Sequence, residues 1–322
     1  MFNANPARVP PEANRVLLSV NPKAGRQAVD RQVDELSQSL VRKGFTVEAL
    51  TDLCEVTRLA AQYHAQGELR ALVAVGGDGT IAELANRTGP GVPLSLFPAG
   101  TSNLLARQLG FVPDPERACQ TIAAGHLIQL DAGQASGRLF LSMVGCGFDA
   151  DVVRRVAQAR HTWRGGHMSY WSYFKPILQS IRSYGYPEIR VHVESPADGP
   201  GERGFPPIVA RWVFVCNMPR YGWGLPIAPD ADGRDGLLDL CTFRRGSLWQ
   251  GLRYVAWTQL GRHHRLADCC QRRVRRLRIE SGEPVEYQLD GDPGGLLPVD
   301  VEVIPGRVTL VVPPEGGLSP RA

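Results

Sequence analysis

In the first 130 residues, short apolar runs alternate with segments whose apolar residues recur at helical spacing. Runs 16–20, 45–50, 71–75 and 94–97 read as buried strands; segments 28–43, 56–66, 81–86 and one beginning near residue 102 read as helices. Strand followed by helix at this spacing predicts a parallel sheet with helices on both faces. Ligands on such sheets bind beyond the carboxyl ends of the strands. Asn21, the loop Gly76, Gly77, Asp78, Gly79, Thr80 and the loop from Gly100 to Asn103 all fall at those ends, so three loops are expected to meet in one crevice.

From about Asp131 the pattern changes. Runs 139–144, 189–193, 208–216, 237–243, 274–279, 285–289 and 299–303 are short and separated by glycine turns, which predicts an antiparallel, sandwich-like arrangement. The expected fold is therefore an α/β N-terminal domain with a parallel sheet over 14–130 and a β-rich second domain over 131–304, with residues 1–13 as a loose tail. Two basic stretches interrupt or cross this pattern. Between Val152 and Pro187 there are six Arg or Lys, no Asp or Glu, and seven aromatics, including Trp163, Tyr170, Trp171, Tyr173 and Phe174. A helix pair of that composition suits an anionic bilayer surface, with Arg154, Arg155, Arg160 and Arg164 meeting lipid phosphates. The competing reading packs the rings on the sandwich and leaves the arginines solvated. The run 272–278 holds five arginines in seven residues and reads as a strand with Arg on both faces, either a phosphate or membrane contact or a solvated edge that resists unwanted pairing.

A length of 322 residues, 43% hydrophobic and 21% charged, suits two domains with a core each. The net charge of +4 is too small to imply nucleic acid by itself. Seven cysteines show neither a CxxC pair nor a zinc spacing, which fits reduced thiols in the cytoplasm, and His263-His264 reads as surface. No window approaches the ~20 apolar residues of a membrane span.

The chemistry gathers in a few loops. Three glycines around Asp78, at the end of a strand and the start of a helix, bring free N–H groups and a positive dipole to a ligand, which favours phosphate. Asp78 is then placed for a metal ion or its waters; an ordinary glycine turn with Asp78 as a helix cap is the alternative. Asn21-Pro22-Lys23-Ala24-Gly25 is not a GxxxxGK[ST] loop, so Lys23 cannot take the role of that lysine. Late in the chain, Gln288-Leu289-Asp290-Gly291-Asp292 ends a strand in an acidic glycine turn, a form also common without chemistry.

Gly76-Gly77-Asp78-Gly79-Thr80 resembles the signature of the diacylglycerol kinase, sphingosine kinase and ceramide kinase catalytic domains, and more distantly that of NAD kinases and phosphofructokinases. Asn21 to Gly25, Pro98 to Asn103, Gly145-Cys146-Gly147-Phe148-Asp149-Ala150, Ala228-Pro229-Asp230 with Asp235 to Asp239, and Asp290 to Asp292 follow in the lipid kinase order. The resemblance implies that Asn21, Gly76, Gly77, Asp78, Gly79, Thr80, Thr101 and Asn103 surround the nucleotide, with Glu83 and Asp292 in support. It implies Asp290 as general base and Asp131 in the metal and water network with Asp78. It also implies a structural divalent-metal loop in which Asp235 gives a carboxylate and Asp232 and Leu237 give carbonyls, and a last strand, 308–312, that returns to complete the first domain. Two departures stand out: Leu104 where the family has an aspartate, and Asp292 where it has a glutamate.

The resulting expectation is a cytoplasmic, peripherally membrane-associated lipid kinase that uses ATP and Mg2+ on a hydroxyl of diacylglycerol or a related lipid, with no nucleic-acid partner and a homodimer left open. A soluble-substrate kinase of the NAD kinase type and a non-catalytic nucleotide or lipid sensor are its rivals.

Overall fold

The computed structural model describes residues 7–21, 26–100, 102–162, 174–196, 206–222 and 224–314. Pro22 to Gly25, Thr101, Trp163, Arg164, Tyr170, Trp171 and Tyr173 lie outside the described residues, as do the side chains of Arg160 and Phe174. The chain forms two compact units, Met1–Leu130 with Gly306–Ala322, and Asp131–Pro305.

In the first unit, β1 (Arg15–Val20), β2 (Thr46–Leu50), β3 (Leu69–Gly76), β4 (Pro93–Pro98) and the end of β15 (Val299–Val311) run parallel in the order β15-β4-β3-β1-β2. All eight residues of β3 are buried, as expected for a central parallel strand whose faces are both covered. The helices are α1 (Arg26–Arg42), α2 (Leu53–Ala65), α3 (Asp78–Arg87), α4 (Leu104–Gln108) and α5 (Pro115–Ala124). Asp52 and Asp114 cap α2 and α5 by accepting from the backbone N–H of Glu55 and Arg117, and Pro115 starts α5 where its missing N–H costs nothing. Leu18, Leu36, Leu40, Val73, Val75, Phe97, Ile122 and Val311 share one core.

Residues 7–13 are not a loose tail. Val9 and Ala13 are buried, Val9 N donates to Gly125 O at 2.9 Å, and Leu127 N donates to Ala7 O at 2.7 Å. Arg70 explains the strap: only 5% exposed, its guanidinium donates to the carbonyls of Val9, Pro10, Ile122 and Ala123, and burial holds its pKa below the usual arginine value. A buried cation has to find acceptors, and the N-terminal backbone supplies two of the four.

The second unit is antiparallel. Its strands are the end of β5 (Leu127–Ala135), β6 (Arg138–Phe140), β7 (Met143–Gly147), β8 (Ile189–Pro196), β9 (Ile208–Ala210), β10 (Trp212–Cys216), β11 (Leu238–Phe243), β12 (Cys269–Glu280), β13 (Glu286–Leu289), β14 (Asp292–Leu296) and the start of β15. They follow the order β14-β13-β7-β10-β11-β12-β15, with β8 and β9 joined to β12 and β5 paired with β6. Helices α6 (Phe148–Thr162), α7 (Phe174–Ser183) and α8 (Leu248–Gln259) interrupt the strands.

Three strand expectations change. The run 139–144 is broken at Leu141 and Ser142, whose N–H groups turn onto the Asp290 carboxylate. The runs 299–303 and 308–312 are one strand, β15, which passes Pro305 and bends at Gly306 with φ 58°. The arginine-rich β12 is no edge: it pairs with β11 over residues 269–274 and with both β8 and β15 further on. Among its five arginines, Arg273 pairs with Asp235, Arg276 with Glu194 and Arg278 with Asp300. His263 is also not at the surface; it is fully buried, with Nε2 2.8 Å from Ile227 O. All seven cysteines are free.

Candidate active site

In the first unit the strand-end loops come together as the sequence predicts. Asn21 Nδ2 donates to Thr80 Oγ1 at 3.4 Å, and Ala99 N donates to Gly76 O at 2.8 Å. The contact between the two glycine loops depends on missing side chains: a Cβ on Gly100 would lie 2.6 Å from Gly77 Cα, and one on Gly76 would lie 2.2 Å from Thr80 Oγ1. Asn103 keeps the second loop closed from a left-handed conformation (φ 47°), accepting from Gly100 N at 3.1 Å and donating to Gly100 O at 2.8 Å. Gly79 has open space where a Cβ would stand. The N-cap of α3 is Gly77, which offers no side-chain acceptor, so the helix presents its N-terminal dipole and N–H groups among glycines. Groups of this kind suit an anion such as phosphate.

Asp78 has a second task. Its Oδ2 accepts from Leu104 N at 2.7 Å and its Oδ1 from Leu105 N at 3.1 Å, so it caps α4, a helix other than its own. Burial raises its pKa, and the amides of Leu104, Leu105 and Ala106 oppose the rise. Leu104 thus contributes its backbone N–H where the family pattern has a carboxylate. Glu83 lies on α3 in an exposed pair with Arg87 at 2.5 Å and does not reach the loop cluster through any contact described.

In the second unit, Asp290 sits at the tip of the β13–β14 hairpin with φ 51°. Its carboxylate accepts three backbone N–H groups, from Leu141 at 2.7 Å, Ser142 at 2.8 Å and Met143 at 2.9 Å. Two residues earlier, the fully buried Gln288 accepts from Gly291 N at 2.7 Å and donates to Asp149 Oδ2 at 3.0 Å. Asp149 is a functional candidate that sequence reasoning quoted only as part of a motif, without a role. It stands in the first turn of α6, and burial pushes its pKa up to about 6 against the donation from Gln288. The space its carboxylate occupies exists because residue 145 is glycine, since a Cβ there would lie 2.5 Å from Asp149 Oδ2. A carboxyl within the Gly145 to Ala150 motif could have been flagged from the sequence; its burial and its bond to Gln288 could not. Asp292 pairs with Arg138 at 3.3 Å.

Asp131 and the loop from Asp232 to Leu237 form one structure. Asp131, 3% exposed, accepts from Gly236 N at 2.7 Å and donates its own N–H to Gly233 O at 2.6 Å. Asp235 accepts from Leu237 N and pairs with Arg273, while Asp232 pairs with Arg234 at 3.2 Å. Burial raises the pKa of Asp235, Arg273 opposes it, and the nearby charges of Asp232 and Asp131 add to the rise. Among the described residues, no group of three or more His, Cys, Asp or Glu is gathered to hold a metal ion. As arranged, this loop does not fit a resident divalent ion, because guanidinium groups already satisfy its carboxylates.

Arg154 and Arg155 are held in ion pairs. Both pair with Asp151, at 2.5 and 2.7 Å, and Arg154 also with Glu286 at 2.9 Å. These arginines outweigh the burial that would raise the Asp151 pKa and hold it low. No helix among the described residues is long and apolar enough to cross a membrane.

Residues 15–135 match the diacylglycerol kinase catalytic domain and residues 142–312 match the YegS C-terminal NAD kinase beta sandwich-like domain. The chain is 27% identical over 308 residues to a diacylglycerol kinase of Bacillus subtilis (strain 168), covering 94% of this chain and 97% of that protein. It is also 27% identical over 316 residues to a diacylglycerol kinase of Mycobacterium tuberculosis, covering 95% and 97%. Among solved structures, a diacylglycerol kinase from Bacillus anthracis str. Sterne superposes with TM-score 0.68 at 23% identity over 94% of this chain and 98% of that one. An NAD kinase from Archaeoglobus fulgidus in complex with ATP superposes with TM-score 0.51 at 13% identity over 94% of each chain. The two matches together span nearly the whole chain, and the chain belongs to the family that joins a diacylglycerol kinase catalytic domain to a YegS C-terminal NAD kinase beta sandwich-like domain.

Proposed function

We propose that the chain is an ATP- and Mg2+-dependent lipid kinase that phosphorylates a hydroxyl of diacylglycerol or a related lipid at a membrane surface. The observation that carries this reading is the meeting of Asn21, Gly76 to Thr80 and Gly100 to Asn103 at the bare N-terminus of α3. ATP enters as Mg-ATP, its phosphates received by the N–H groups of the Gly76 to Thr80 loop, with Asn21, Thr101 and Asn103 around them. Asp78, fixed by the Leu104 and Leu105 amides, is the carboxylate that would meet Mg2+ or its waters. Asp131 and Asp292 are supporting carboxylates in this reading.

The lipid hydroxyl oxygen attacks the γ-phosphorus, the bond from that phosphorus to the β–γ bridging oxygen breaks, and ADP departs with the bond's electron pair. Asp290 takes the hydroxyl proton. Three backbone amides fix the position of its carboxylate, so little reorganisation is needed at the moment of transfer.

The test is transfer of labelled phosphate from ATP to a panel of diacylglycerol, sphingosine, ceramide, a total lipid extract and NAD. We expect label on diacylglycerol or on a component of the extract. Label on NAD alone would establish the soluble-substrate rival, and nucleotide binding without any labelled product would establish the sensor.

A further inference from the structure

We infer that the outer face of α8 is the surface by which this protein docks on an anionic lipid bilayer. A surface helix normally turns its apolar stripe inward, and α8 carries large aliphatic residues on the outside. Tyr254 and Thr258 are buried beneath it. On the outside, Trp249 is 78% exposed, Leu252 53%, Val255 51% and Leu260, its C-cap residue, 68%. At about 100° per residue these four, with exposed Ala256, occupy an arc of roughly 140° in which Gln259 is the one exposed polar residue. A contiguous exposed stripe with a tryptophan in it is unusual on a surface that meets only water.

The charge around the stripe selects the occupant. Residues 240–267 contain five arginines and no Asp or Glu. Arg244 and Arg245 are exposed just before the helix, Arg262 and Arg265 just after it. The nearest acid, Asp268, is 9% exposed and faces Arg253 and Arg245 at 3.5 and 3.7 Å. An apolar face with Trp in its first turn and cations at both ends matches a membrane interface, where apolar side chains enter the acyl boundary and arginines stay with lipid phosphates. The surface expected from composition alone, around Arg154 and Arg155, has those arginines already paired with acids.

The choice of a bilayer rests on the proposed lipid kinase reading, but its test does not need turnover. The full chain is co-sedimented with vesicles of phosphatidylglycerol in phosphatidylcholine, and with phosphatidylcholine alone, over a range of salt. We expect binding to the anionic vesicles that weakens as salt is raised, and little to the neutral ones. The double substitution W249S/L252S should lower the partition coefficient by at least about tenfold, while W249F leaves it within about threefold. Both variants should keep the thermal midpoint and the rate on a monomeric short-chain diacylglycerol, since both side chains point outward. Undiminished vesicle binding by W249S/L252S would overturn the inference, as would equal binding to neutral vesicles. It would also be overturned by a dimer in solution that W249S/L252S converts to monomer, because the face would then be occupied by a second copy. Absent turnover with salt-sensitive, Trp249-dependent binding would sink the kinase reading and leave this one standing.

Discussion

Asp290 and Asp149 are two carboxyl groups in opposite circumstances, and single substitutions should separate them. Asp290 accepts three amides; asparagine has one acceptor oxygen and also tolerates the left-handed backbone, so Asp290→Asn leaves at least one N–H facing an amide nitrogen. We expect it to cut kcat by about 100-fold to 10,000-fold and to lower stability by about 1–2 kcal/mol, with ATP affinity unchanged. Near wild-type kcat would remove Asp290 as the base and leave it a structural carboxylate. For Asp149 the effect is on pH dependence. Its pKa is raised from 3.8 to about 6 in the folded protein, so between those values the native state holds a proton that the unfolded chain has released. Stability from this group is present below about pH 4 and is lost as pH rises through about 6. Asp149→Asn should therefore stabilise the protein above pH 6, on the order of 1–3 kcal/mol, with the difference vanishing at pH 4; denaturant midpoints across that range measure it. Asp290, Asp78 and the Asp149 motif were all legible in the sequence. Their partners were not, because nearly all are backbone amides contributed from far along the chain, and an amide leaves no mark in sequence.

Elements with a local cause were read well: the β1 to β4 alternation, the α1 to α3 helices between those strands, and the convergence of three loops; α5 was not read, although Asp114 and Pro115 mark its start. What decided the errors was non-local. The arginines of β12 suggest an edge only until β8 and β15 are seen on either side with Glu194 and Asp300. The break between β6 and β7 follows from Asp290, roughly 150 residues away in sequence. Pro305-Gly306 has the appearance of a turn, yet β15 continues through it because both of its ends find partners, β12 and β4. The cradle itself offers a test at this scale. Gly100→Ala sets a methyl against the Gly77 backbone, which cannot swing aside as a side chain can. It should cost about 1–3 kcal/mol and raise KM for ATP about tenfold with a smaller effect on kcat. An unchanged KM would separate the Gly77 and Gly100 contact from nucleotide binding.

At the scale of the whole molecule, the sequence indicated two units and their boundary region, while the strap of residues 7–13 and the buried Arg70 escaped it because their bonds run to carbonyls. Mg-ATP should raise the thermal midpoint by mass action, about 2.7 kcal/mol at a hundredfold excess over Kd. The core that receives it includes Val308, Leu310, Val311 and Val312, all buried, and Ser95 Oγ donates to Val311 O across the β4–β15 pair. A chain ending at residue 305 should show no such Mg-ATP shift, although every residue of the phosphate loops is present in it. Seen in time rather than in space, β15 reverses the order in which the molecule can be finished. The first unit begins synthesis first, but β4 lacks its parallel neighbour until residues 306–312 have been made, by which point all of the second unit has already been synthesised.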